Sequence, residues 1–208
     1  MTNLILIGRT RFPESSGLRI NMMPFIIGDN NSIPQEYRQY CSMIQDCGVE
    51  TGELGKTGYL SIQESVVEAN KYQRRPGIHT DGHGVIGWGW GRGEIPNGKR
   101  IRGLYIASSV ENSCRAWDIE INTPGPMGDC ERYRTELEEE EDIVMRSHYI
   151  YWLTDRCPHE SLPMKKRENR QWFRLVTSAV DIWYQDHSTK NRLGIKPDCE
   201  VISGNKFS

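Results

Sequence analysis

Three side chains in two short runs have the types and spacing to hold a metal. His79 and Asp81 stand in PGIHTDGHG, and His159 stands in TDRCPHESLP. Two imidazoles and one carboxylate form the facial donor set that suits ferrous iron and leaves it open positions. At i and i+2 of an extended strand, His79 and Asp81 point to the same face. His159 must then arrive from a strand far away in sequence. A His-x-Asp tripeptide recurs by chance, and many histidines are ordinary half-buried polar residues. The chain has five, the others being His83, His148 and His187. Context sets the first pair apart: a proline and three glycines bracket it. His159, for its part, precedes an arginine-bearing strand candidate in RQWFRLVT.

The run GVIGWGWGRGEIPNG follows at once, with Trp88 and Trp90 set among glycines. No GKS or GKT follows it, so it is not a phosphate loop. It reads either as an irregular segment walling the site with indoles or as a turn-rich hairpin. Arg74, Arg75, Arg92, Lys99, Arg100 and Arg102 could form a local basic groove. The glutamates at 136 and 138–141 read as a solvated face, because the spacing of a calcium loop is absent.

The 208 residues suit one domain, 1–208, with a β core over 57–184. With 26 basic and 28 acidic side chains the net charge is -2, so no polybasic face demands nucleic acid, though none excludes it. Six scattered cysteines include no CxxC pair, and neither a zinc knuckle nor a redox dithiol is signalled. MTNLILIG has no basic n-region, and no stretch reaches transmembrane length. The expectation is a cytoplasmic protein acting on a small molecule, with no membrane partner.

The elements that must position these residues are mostly short strands. Strand patterns cover Leu4 to Ile7, Arg19 to Ile27, Thr57 to Glu64, Arg102 to Ala107, Arg115 to Ile121 and Val144 to Leu153. The longest runs from Gln171 to Tyr184, with a bend at Ser178-Ala179. One early helix is predicted after Asn31, capped by Ser32, with Pro34 in its first turn and Gly48 ending it. Asp129 is placed as the cap of an acidic helix from Cys130 to Glu141. Val66 to Tyr72 fits either a strand or a helical turn. Without βαβ alternation, the pattern argues for a mainly β fold, an antiparallel sandwich or barrel with decorating helices.

At this point the sequence resembles the iron(II)- and 2-oxoglutarate-dependent oxygenases. The resemblance implies a double-stranded β-helix, a jelly roll of cupin-like type, with Fe(II) on His79, Asp81 and His159. It further implies that 2-oxoglutarate chelates the iron and is decarboxylated to succinate while a substrate is hydroxylated or oxidised. Arg170, eleven residues beyond His159, best matches the anchor of the far carboxylate. Arg174 is the reserve, and a hydroxyl from Tyr59 or Tyr105 could add a hydrogen bond. Two other readings stay open. His83 could replace a ligand, as in a cupin-like isomerase or cosubstrate-independent dioxygenase. The fold could also be a non-catalytic β-sandwich whose Trp88 and Trp90 bind a flat ligand.

Overall fold

Residues 2–82 and 90–204 are described by the computed structural model. The strands are β1 (Leu4–Arg9), β2 (Arg19–Ile26), β3 (Thr57–Val67), β4 (Leu104–Ser108), β5 (Cys114–Trp117), β6 (Asp142–Val144), β7 (Tyr149–Leu153), β8 (His159–Ser161), β9 (Glu168–Val176), β10 (Ile182–Tyr184) and β11 (Glu200–Ile202). Two short helices join them, α1 (Cys41–Asp46) and α2 (Arg134–Glu138). The main sheet has six strands in the order β1-β7-β4-β9-β3-β2, every neighbouring pair antiparallel. A second sheet runs β6-β5-β8, and β10 pairs with β11 in parallel.

Alternation along the strands fixes what lies on each face of the main sheet. Leu60 and Ile62 of β3, Tyr105 and Ala107 of β4, and Phe173 and Leu175 of β9 share one core with Tyr37, Tyr40, Met43 and Ile44 of the helical segment. The opposite face presents Tyr59, Leu104, Ile106, Trp172 and Val176 to Cys114 and Ala116 of the small sheet. The molecule is thus layered: a helical cover, the six-stranded sheet, then the three-stranded sheet. Between the last two layers lies the space that β9 shares with His159.

The double-stranded β-helix expected from the sequence is not the architecture. The main sheet is open, with β1 and β2 as unjoined edges, and among the described residues no sheet closes into a barrel. The chain between β2 and β3 instead turns helical and covers a sheet face. The described chain between β3 and β4 carries a 3-10 turn at Pro96–Gly98 and, as β structure, only single-residue bridges at His79, Trp90, Glu94 and Ile101.

The helices are shorter than their patterns suggested. The early one is split into 3-10 turns at Asn30–Ser32 and Gln35–Tyr40, followed by α1. Ser32 caps nothing, because its hydroxyl turns back to Ile26 and Asp29. Gly48 does end the segment, with φ of 56°. The acidic helix shrinks to α2 behind a 3-10 turn, and Asp129 pairs with His79 rather than capping it. The long final strand breaks after Val176 and resumes only as β10.

Candidate metal centre and its cationic chamber

His79 and His159 are joined by backbone. Each donates its amide to the other's carbonyl, at 3.0 and 2.9 Å, in an antiparallel bridge that adds the His79 segment to the edge of β8. Their rings lie 4.6 Å apart between centroids. Within each residue the same local bond recurs. The Nδ1 of His79 meets the carbonyl of Gly77 at 2.8 Å, and that of His159 meets the carbonyl of Cys157 at 3.0 Å. A carbonyl only accepts, so Nδ1 carries the hydrogen in both rings and Nε2 keeps its lone pair. Burial lowers the pKa of both imidazoles. The neighbouring His159 lowers His79 further, and Asp81 opposes the shift in each. Two neutral rings with free Nε2 atoms are the form in which histidine ligates a metal.

Asp81 sits beside them, 3% exposed, with Oδ2 at 3.9 Å from Nε2 of His159 and 3.3 Å from Nη1 of Arg174. Its segment is held by backbone. Thr80 donates to the carbonyl of Gly128, and Trp90 donates to that of Asp81, both at 2.9 Å. Gly128 adopts φ of 75° and packs so closely on the carbonyl of Thr80 that no side chain fits there. Proximity does not yet make a cage. Among the described residues no three His, Cys, Asp or Glu side chains stand ready to surround an ion. Asp81 is turned toward Arg174.

The two arginines of β9 have different surroundings although they face the same side. Arg170 is fully buried. It donates to the hydroxyls of Ser108 and Ser161, to the carbonyl of Ser113 and to Sγ of Cys114, at 3.2–3.4 Å. It ties the two sheets together. Arg174 is the one beside Asp81, reversing the preference drawn from spacing. Its guanidinium carbon lies 5.0 Å from the Trp90 ring and 5.4 Å from that of Trp172.

The expected tyrosine hydroxyls also lie elsewhere. Tyr59 meets Cys199 and the amide of Asp198. Tyr105 belongs to the core on the opposite face of the sheet. His83 and Trp88 lie outside the described residues.

Sequence reasoning missed Arg19 and Gln63, and offered Arg74 and Arg75 only as part of a basic groove with Arg92, Lys99, Arg100 and Arg102. Arg74 lies 4.0 Å over Trp172 and donates to Oε1 of Gln63 at 2.9 Å, while Arg75 donates to the carbonyl of Met127. A chamber of about 450 Å3 opens above His79 and Asp81, walled by Arg19, Gln63, Arg74, Arg75, Trp90 and Arg174. A smaller space of about 50 Å3 continues from it toward His159, Ser161 and Trp172. The only signal in the sequence was the pair Arg74-Arg75 just before Pro76.

No protein-family model matches the chain, and no curated protein matches it. Among solved structures it is similar to HygX from Streptomyces hygroscopicus, crystallised with iron bound. The identity is 11% and the TM-score 0.44, over 99% of this chain and 94% of that one. The chemistry assigned to the site stands on the site's own residues. The resemblance to the 2-oxoglutarate-dependent oxygenases does not hold, since among the described residues no sheet closes into the barrel it required. The assignment as a dioxygenase falls with it, as no ready metal cage is formed among the described residues. The cupin alternative needed the same barrel. Among the described residues no helix is long and apolar enough to cross a membrane.

Proposed function

We propose that this chain binds a divalent transition metal through Nε2 of His79, Nε2 of His159 and the carboxylate of Asp81. The observation that carries this reading is the paired imidazole geometry. Two rings 4.6 Å apart each have Nδ1 engaged by a carbonyl two residues earlier, so both lone pairs are available. A backbone carbonyl on the distal ring nitrogen is the usual orienting partner of a ligating histidine. The donor types fit iron(II) first, and zinc or manganese after it. A metal held there would supply Lewis acidity and open coordination positions.

The chain's own residues do the rest. The carbonyls of Gly77 and Cys157 fix ring tautomer and orientation. Arg174 holds the carboxylate of Asp81 in place. Binding requires that carboxylate to trade part of its contact with Arg174 for the metal. Anaerobic titration with iron(II) is expected to show one equivalent bound. His79→Ala and His159→Ala should each abolish it, and Asp81→Asn should weaken it. Sub-stoichiometric binding by the unaltered chain, or full binding by the double histidine variant, defeats the reading.

A further inference from the structure

The chamber is cationic in a way that its own residues do not neutralise. Arg19, Arg74, Arg75 and Arg174 line it against Asp81 and Asp186. Asp81 is engaged by Arg174. Arg74 makes no ion pair among the described residues; it has one neutral acceptor, Gln63, and the face of Trp172. Arg174, its side chain only 6% exposed, gives Nη1 to Asp81. Among the described residues its Nε and Nη2 have no acceptor.

Those two atoms form one edge of the guanidinium, a planar fork whose spacing matches two oxygens of a carboxylate or phosphate. Leaving such donors buried and unmet is costly. Bringing two cations onto one indole adds repulsion. Burial and the neighbouring Arg174 cation pull Arg74 down to about 9, with Asp81 opposing. An anion between the two would meet the idle donors and offset the repulsion together. Trp172 and Trp90 would flank its organic part.

We infer that this chamber recognises a small organic anion, its carboxylate or phosphate head held between Arg74 and the open edge of Arg174. The inference rests on the preceding reading only in taking this chamber as the working site, and its test excludes metal.

Calorimetry on the whole chain, kept metal-free with a chelator, would use malonate and inorganic phosphate as separate probes. Saturable binding of one probe is expected, the preferred one naming the head group. Arg74→Gln should weaken it about tenfold or more, as for a lost charged hydrogen bond. Should that variant fail to fold, the unaltered protein still decides. Phenylglyoxal modification of Arg74, mapped by mass spectrometry, should be slowed by the bound probe. The inference is overturned if neither probe binds saturably, if a folded Arg74→Gln binds as well as the parent, or if bound probe gives Arg74 no protection. Anion binding without metal binding would leave this inference standing and remove the metal centre.

Discussion

Arg170 and Arg174 stand four positions apart on one face of one strand, and their different partners decide their roles. Spacing from His159 favoured Arg170 as the group that meets a ligand. The fold encloses it instead among Ser108, Ser113, Cys114 and Ser161. It therefore acts on stability. Arg170→Ala would leave the Ser161 hydroxyl without its donor and open a cavity between the sheets, at a cost of about 3 kcal/mol or more. Arg170→Met, which keeps most of the volume, should cost less. Urea unfolding would rank the two, and a cost near zero for the alanine variant contradicts the role. Neither change should touch the proposed metal donors. That His79, Asp81 and His159 come close in the candidate site was legible. Which arginine joins them was not, because the period of a strand gives a side chain's face and not the depth at which its neighbours close over it.

At the scale of elements, Glu64 of β3 shows how the helical cover is fastened to the sheet. Its carboxylate accepts from the Tyr40 hydroxyl at 2.6 Å and from the amides of Ser16 and Leu18 at 2.7 and 2.9 Å. Burial alone would raise its pKa, but the Tyr40 hydroxyl and the two amides outweigh that and hold it below the ordinary 4.5. The unfolded chain then takes up this proton first as pH falls. Stability contributed by Glu64 is present above about pH 4.5 and is lost as acid titrates the folded carboxylate. Melting temperatures from pH 7 to pH 3 should fall less steeply for Glu64→Gln, which should also be weaker at neutral pH. Parallel curves would remove Glu64 from the acid response. The strands of this layer were legible from apolar alternation. The early helix was misjudged at its start, where Ser32 looked like a cap. A serine hydroxyl satisfies a turn or a helix equally well, and here the carbonyl of Asp29 and the backbone of Ile26 at the end of β2 take it.

For the whole molecule, the sequence pattern led to many short antiparallel strands but to the wrong closure. A strand pattern reports a face to be buried, and either a second sheet or a helix can bury it. Here α1 and the turns before it cover one side, and the small sheet covers the other. The six-stranded sheet depends on β9, which joins β4 to β3. Without that strand the sheet is two pieces, β1-β7-β4 and β3-β2. A chain ending at Lys165 is expected to lose the single cooperative melting transition. A native-like melt from the shorter chain would show that the pieces hold without their link. The order of synthesis gives β9 a second meaning. The ribosome releases His79 and Asp81 long before His159, and the strand carrying Arg174 later still. Between Asp81 and His159 the nascent chain grows by 78 residues with only part of the proposed site and without β9 to link the sheet. Capture of the proposed metal, on this ordering, would have to wait until His159 has been made.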